Sequence, residues 1–379
     1  MMLYQNPQAP IADRVDDLLS RMTLEEKVGQ MNQCVGVEHF RKNLGNLTEE
    51  ELKTNTANAI YPGLVPADLE TLTREGKIGS FLHVLTIGEA NHLQRLAMES
   101  RLAIPLIFGI DAIHGNANAP DNSIYPTNLG LACAFDPELA NTIARQTAKE
   151  MRAMNMHWTF NPNVEVARDP RWGRCGETFG EDPYLVTLLG VATVKGYQGD
   201  MSNPKENVLA CIKHFVGGSE SLNGTNGAPF DVSERTIREV FFPPFEAGVM
   251  AGAGSLMTSH NEVNGIPAHT NDWLMTDVLR GEWRFPGFIV SDWDDIEHVH
   301  DLHHTAESDK EAFYQSIMAG MDMHMHGPEW TPAVVELVNE GRIPESRIDE
   351  SVRRILTAKF QLGLFENPYA DEATTMEIR

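Results

Sequence analysis

The chain has few cysteines and no long apolar run, and each shortage excludes a class of protein. Its four cysteines, among 379 residues, are widely spaced and form no CxxC pair, so neither a zinc knuckle nor a disulfide framework is expected. No run of about 18 apolar residues occurs, and the N-terminal MMLYQNPQAP lacks the order of a signal peptide. We therefore expect free thiols in a soluble chain of the bacterial cytoplasm or periplasm, whether or not a leader has been removed.

Basic residues are also scarce, because 54 acidic residues face 30 lysines and arginines for a formal charge of −24. Such a surface repels nucleic acids and anionic membranes, so neither is expected as a partner, and a neutral or cationic ligand is favoured. An ordinary acidic surface explains the charge equally well. No GxGxxG or GxxxxGK[ST] turn follows a strand-like run, which argues against a nucleotide cofactor.

What the sequence does contain is an alternation of strand-like runs and capped helices. Asp136-Pro137 and Asp182-Pro183 each pair an N-cap acid with proline at the first helical position, and Thr23 with Glu26 predicts a capping box. A polar stretch covers about residues 41–59, and the last helix is predicted over 348–360. Strands are predicted near 28–33 and within 77–85, 104–111, 156–166, 207–215, 254–261, 285–293 and 319–325.

About eight strand-helix units predict a (β/α)8 barrel of the TIM type, and the length of the chain suits that fold with insertions. We expect one domain over residues 1–362. The polar, turn-rich residues 363–379 are predicted to begin a linker or C-terminal tail.

Several predicted strands end in polar pairs, and in a barrel these ends meet at one shared mouth. The pairs begin at Asp111, Lys213, His260 and Asp292. Asp292, followed by the aromatic Trp293, is either a nucleophile beside a sugar platform or a cap for the next helix. Nearby cations would keep such a carboxylate ionised and would hydrogen-bond hydroxyl groups, so the cluster predicts polyol recognition with attack by a carboxylate.

Five ordered motifs resemble glycoside hydrolase family 3, chiefly its β-glucosidases: GIDAIHG, RDPRWGRCGETFGEDPYL, KHFVGG, SLMTSHNEVNGIPAH and IVSDW. The resemblance implies that Asp292 is the nucleophile and that Trp293 stacks on sugar rings. It also implies that hydroxyl groups of the terminal sugar are held by Asp111, Arg174, Lys213 and His214. Relatives that act on xylosides tend to carry glutamate at the position of Asp111, so aspartate favours glucose. His260 stands where many relatives have tyrosine, which predicts a different contact near the nucleophile.

The resemblance implies a retaining β-glucosidase that removes terminal non-reducing glucosyl residues through a covalent glucosyl-Asp292 intermediate and needs no cofactor. Retaining hydrolysis requires a second carboxyl group as general acid and base. In β-glucosidases of this family that group usually belongs to a following domain. We therefore expect it from a second domain or subunit, with Glu220 and Glu177 as the candidates inside this chain.

Two other functions remain open from the sequence. His298, His300, His303 and His304 lie close together, and His324 and His326 follow Asp322 at strand spacing, which allows a metal-dependent barrel hydrolase. A catalytically incomplete sugar-binding barrel requires only that the second carboxyl group be missing.

Overall fold

Eight parallel strands form the central sheet of the computed structural model, which describes residues 2–43, 60–61, 63–119, 121–201, 203–371 and 373. The strands, β1 to β8 in chain order, are Asn32–Val35, Ser80–Leu82, Ile107–Ile110, Trp158–Thr159, Leu209–Phe215, Ser255–Thr258, Phe288–Val290 and His324–Met325. Strands β1 to β7 pair in chain order, and β8 pairs with β1.

The sheet closes between β7 and β8. The main-chain N–H of Met323 donates to Ile289 O, and the N–H of Ser291 donates to Met323 O, both at 3.0 Å. The predicted (β/α)8 barrel is thereby confirmed. A separate antiparallel hairpin, Glu262–Val263 with Ile266–Pro267, follows β6.

Helices separate the strands along the chain. The α-helices are Ile11–Leu19, Leu24–Gln30, Val37–Asn43, Pro66–Arg74, Ile87–Met98, Asn128–Ala132, Pro137–Ala153, Pro183–Gln198, Glu234–Thr236, Phe242–Met250, His298–Asp301, Asp309–Ala319, Trp330–Asn339 and Glu345–Gln361. Wider π turns cover Ile237–Phe241 and Trp273–Glu282. Short 3-10 turns cover Leu3–Gln5, Cys175–Glu177, Gly218–Glu220, Leu222–Gly224 and Ala268–Thr270. Among the described residues, none of the helices has both the length and the apolar character needed to cross a bilayer.

The predicted helix starts are confirmed by their caps. Asp136 accepts the N–H groups of Glu138 and Leu139, and Asp182 accepts that of Leu185, each before a proline at the start of the helix. The Thr23 and Glu26 pair forms both hydrogen bonds of a capping box.

Three predicted boundaries differ from the structure. The first strand begins at Asn32 rather than near residue 28, because the helix capped by Thr23 continues to Gln30. The last helix begins at Glu345, three residues before the predicted start. The polar stretch begins inside the helix Val37–Asn43, and its residues 44–59 lie outside the described part of the chain.

The last helix is attached to the bottom of the barrel by a buried lysine. Lys359 Nζ donates to Gln30 Oε1 at 2.6 Å and to the carbonyls of Gly79 and Pro105 at 2.8 Å. These neutral acceptors satisfy all three ammonium protons but supply no opposite charge, and burial lowers the pKa of Lys359 to about 7.

The chain continues along the barrel beyond this helix. Leu364 is buried, Phe365 stacks on Phe360 with ring centroids 3.9 Å apart, and Glu366 pairs with Arg14 at 2.6 Å. The domain boundary after residue 362 stays a prediction.

Candidate active site

One pocket of about 270 Å³ lies at the carboxyl ends of the strands. Six of the eight predicted site residues line it: Asp111, Arg174, Lys213, His214, Asp292 and Trp293. Asp111 follows β3, Lys213 and His214 belong to β5, and Asp292 lies just beyond β7. Carboxyl ends of parallel strands in a barrel form one mouth, which is why residues distant in sequence meet here. A larger cavity of about 480 Å³, bounded by Leu72, Pro328 and Val335, lies away from these charges.

The carboxylate of Asp292 is held by its own loop and faces two histidines. Oδ1 accepts the N–H of Trp293 at 2.7 Å, and the N–H of Asp292 donates to His269 Nε2 at 3.1 Å. Oδ2 lies 3.1 Å from His260 Nε2 and 3.5 Å from His214 Nε2, and within the described residues it receives no well-aligned hydrogen bond. The side chain is 13% exposed. A carboxylate in this state is available to attack a ligand in the pocket.

Asp111 forms a charged pair with Lys213 in the same pocket. Its Oδ1 accepts from Lys213 Nζ at 2.7 Å, and its Oδ2 lies 3.0 Å from His83 Nε2. Burial alone would raise the pKa of Asp111, but Lys213 and then His83 lower it overall. Asp111 is therefore ionised and can accept hydrogen bonds from hydroxyl groups.

Arg174 links a carboxylate with both histidines. Its Nε and Nη2 donate to the two oxygens of Glu177 at 2.8 and 2.9 Å. Its Nη2 also lies 2.9 Å from His214 Nε2, and its Nη1 lies 3.1 Å from His260 Nε2. Burial would raise the pKa of Glu177, but the hydrogen bonds from Arg174 lower it. Glu177 lines the pocket as an ionised group, which is the wrong state for a general acid.

The two histidines beside Asp292 differ in protonation. Burial, Arg174 and Lys213 all lower the pKa of His214, which is neutral. Burial also lowers the pKa of His260, but Asp292 and Asp295 together raise it to about 9. The close Arg174 favours a neutral His260 ring, yet two carboxylates outweigh one guanidinium, so His260 is a cation at neutral pH.

Four supporting residues were missed in the sequence. Glu165 Oε2 lies 2.7 Å from His214 Nδ1, and Asp295 Oδ2 lies 2.7 Å from His260 Nδ1. The predicted strand within 77–85 includes His83, but β2 ends at Leu82, so His83 is a polar residue directly after a strand and fits the pattern that identifies the other site residues. His269 and Asp295 had no comparable signal.

Two predicted site residues do not line this pocket within the described part of the chain. His260 lies beside Asp292, with its Nε2 3.1 Å from Asp292 Oδ2. Glu220 lies 3.4 Å from Arg168 Nη2, in the loop that follows Lys213 and His214. That loop turns at Gly217, where φ is +94° and a Cβ atom would meet the ring of Phe230 at 2.2 Å, so glycine is required.

Three residues of the alternative metal site contact other groups of the barrel. His324 Nε2 lies 2.6 Å from Glu297, and its ring stacks on Trp330. Asp322 accepts from Arg280 at 2.6 Å and from Arg354 at 2.7 Å. His326 packs against Trp293 with ring centroids 3.8 Å apart and supports this wall of the pocket.

Comparison with known proteins gives one family and several relatives. The family described as "Glycosyl hydrolase family 3 N terminal domain" matches residues 23–358. The "Lysosomal beta glucosidase" of Dictyostelium discoideum is 38% identical over 94% of this chain and 44% of its own length. A "Putative beta-xylosidase" of Formosa agariphila is 36% identical over 97% of this chain and 48% of its own length.

Among solved structures, a β-glucosidase from Listeria innocua in complex with glucose has a TM-score of 0.85 and 36% identity. The match covers 96% of this chain and 49% of that one. The chain thus spans about half the length of these relatives.

Proposed function

This chain belongs to glycosyl hydrolase family 3, whose N-terminal domain it contains, and on this premise we propose that it hydrolyses terminal β-linked glucosides. The proposed substrate is a β-glucoside or gluco-oligosaccharide attacked at its non-reducing end. The confined pocket supports an exo mode, because it receives the end of a chain rather than its middle.

The proposed reaction proceeds through a covalent intermediate. Asp292 attacks the anomeric carbon, and the aglycone leaves with the electrons of the broken C–O bond. Water then attacks the same carbon, the C–O bond to Asp292 breaks, and glucose is released with its β configuration retained. The proton that the water loses balances the proton that the departing aglycone oxygen takes up. The observation that carries this proposal is Asp292 itself, a pocket-lining carboxylate with one oxygen held by the N–H of Trp293.

Binding of the sugar is assigned to the charged groups around Asp292. Asp111 with Lys213, and Arg174 with His214, supply acceptors and donors for hydroxyl groups. Trp293 offers an aromatic face for the sugar ring. Aspartate at position 111 leaves more space than glutamate, which favours glucose over xylose.

We propose that the general acid and base come from outside this chain. Glu177 is held as a carboxylate by Arg174, and Glu220 lies beside Arg168 outside the pocket. The relatives are about twice as long as this chain, which leaves room in them for a second domain with this role.

The proposal is tested by Asp292→Asn, with Asp231→Asn as an exposed control of the same chemical change. We expect Asp292→Asn to abolish turnover of an activated aryl β-glucoside while its thermal unfolding stays close to that of the parent, and the control to keep full activity. If Asp292→Asn keeps activity within about tenfold of the parent, Asp292 is not the nucleophile. Proton NMR should show β-glucose as the first product, and α-glucose would exclude retention.

A sugar-binding barrel without turnover is the second candidate, favoured by the lack of a general acid among the described pocket residues. Glucose binding by calorimetry, together with no release of an activated aryl alcohol, would establish it.

A further inference from the structure

Glu165 is the most deeply buried carboxylate next to the pocket, and both its oxygens have donors. Its side chain is 1% exposed. Oε2 lies 2.7 Å from His214 Nδ1, and Oε1 accepts the N–H of Ser219 at 3.0 Å. Two donors on two oxygens require a carboxylate, because an amide offers only one acceptor oxygen.

The contacts of His214 determine which ring nitrogen carries its proton. Arg174 Nη2 approaches Nε2 at 2.9 Å, and a guanidinium can only donate. Nε2 therefore accepts, and the single proton of the neutral ring lies on Nδ1, from where it is donated to Glu165. Burial, followed by Arg174 and Lys213, lowers the pKa of His214 and keeps the ring neutral.

We propose that Glu165 is a positioning residue, which acts through His214 by holding its ring in the Nδ1–H form. In this form Nε2 accepts hydrogen bonds from Arg174 or from a sugar hydroxyl. It also has no proton to donate to Asp292 Oδ2, 3.5 Å away, so the cationic His260, with Nε2 at 3.1 Å, rather than His214, is placed to donate to this oxygen. The consequence for catalysis rests on the proposed function, whereas the position of the proton does not.

Protonation of Glu165 has the same effect on His214 as an amide side chain at this position, because in both cases one of the two acceptor oxygens is lost. Burial raises the pKa of Glu165 to about 7. Arg174, a hydrogen bond from Asn163 and His260 oppose this rise, and Glu177 adds to it. His214 and the N–H of Ser219 also face the carboxylate. As pH falls through about 7, Glu165 takes up a proton and no longer accepts from Nδ1–H of His214. The fraction of His214 rings with a proton on Nε2 therefore rises.

The first experiment observes the proton directly by nitrogen-15 NMR of histidine side chains. In the parent chain at pH 8, we expect the signals of His214 to show a protonated Nδ1 and a bare Nε2. In Glu165→Gln, the amide cannot accept from both Nδ1 and Ser219, so the Nε2–H form should appear. An unchanged Nδ1–H form in Glu165→Gln overturns the proposal, and titration of the parent through pH 7 decides the question if this variant does not fold.

The matched control is Glu89→Gln. Glu89 is also buried, burial raises its pKa to about 7, and it accepts the N–H of Glu38 rather than a pocket side chain. It should leave the tautomer of His214 unchanged. If the tautomer of His214 also changes in Glu89→Gln, the change in Glu165→Gln would reflect a general loss of packing and not the loss of the Glu165 carboxylate.

The second experiment measures kcat/KM of an activated aryl β-glucoside against pH. We expect Glu165→Gln to lose about tenfold to a hundredfold at pH 8, the usual effect of one hydrogen bond to a charged group. The parent should lose activity below about pH 7, and this loss should be absent from the variant and retained in Glu89→Gln. A parent without activity contradicts the proposed function, whereas an active parent with an unaltered profile in Glu165→Gln contradicts the role of Glu165 alone.

Discussion

Asp111→Asn tests the sugar-binding side of the pocket. The change keeps the shape of the side chain but removes the charge that pairs with Lys213 Nζ at 2.7 Å. Lys213 is only 3% exposed, so its ammonium loses the carboxylate that compensates its burial. Breaking a buried pair costs about 3 to 5 kcal/mol, but Asp111 is 31% exposed, so we expect a loss of roughly 1 to 3 kcal/mol in unfolding free energy.

The loss of transition-state stabilisation should exceed the loss of unfolding free energy, because contacts with the sugar hydroxyl groups tighten as the sugar ring distorts. A loss of about 2 to 4 kcal/mol in transition-state stabilisation corresponds to roughly 30-fold to 1000-fold in kcat/KM. Lys213 and His83 lower the pKa of Asp111, so the carboxylate stays ionised and the ratio of parent to variant should stay constant between about pH 5 and 9.

Both quantities are measured on one preparation, with kinetics on an aryl β-glucoside and thermal unfolding of the free chain. Asp231→Asn, at an exposed position, should match the parent in both assays. A loss of less than about threefold in kcat/KM by folded Asp111→Asn would place the sugar elsewhere and refute this reasoning.

Three further predictions concern specificity, stability and the general acid. Asp111→Glu should shift preference from glucoside toward xyloside by about 1 to 3 kcal/mol, and an unchanged ratio of the two kcat/KM values would exclude Asp111 from the pocket wall. The raised pKa of His260 should contribute roughly 3 kcal/mol of stability, fully present below about pH 6.5 and lost as pH rises through about 9. Denaturant titrations of His260→Gln should therefore differ most from the parent at low pH, and a difference that grows with pH contradicts this sign. Activated glucosides should be cleaved far better than disaccharides, azide should accelerate release of the sugar from the enzyme, and Glu220→Gln should change these rates little. Efficient hydrolysis of a disaccharide that Glu220→Gln abolishes would instead place the general acid in the SESLNG loop.

The barrel was predictable because strand-like runs alternate with capped helices along the chain, and several of the runs are apolar and end in polar residues. This pattern predicts the ends of β3, β5, β6 and β7, and hence the site residues Asp111, Lys213, His260 and Asp292, from the sequence alone. Strand boundaries were less precise where a capped helix runs directly into a strand, as at Gln30 and Asn32.

Partners across the barrel were not predictable, because they depend on how distant loops approach each other. Glu165 lies between two valines in an apolar run and has no local sign of its bond to His214, 49 residues away. The opposite protonation of His214 and His260 depends on counting the charges around each ring, which only the assembled site provides.

The most direct test of the glycosidase mechanism is to trap the sugar on its nucleophile. The parent chain is incubated with a 2-deoxy-2-fluoro-β-glucoside that has a good leaving group. The fluorine slows both formation and breakdown of the ester, and the good leaving group accelerates formation alone, so the ester accumulates. Trypsin then releases peptide 285–310, which contains Asp292, Asp294 and Asp295, and fragmentation in the mass spectrometer assigns the label. We expect one fluoroglucosyl group on Asp292; a label on another carboxylate, or none from a chain that turns over aryl glucosides, would contradict the covalent glucosyl-Asp292 mechanism.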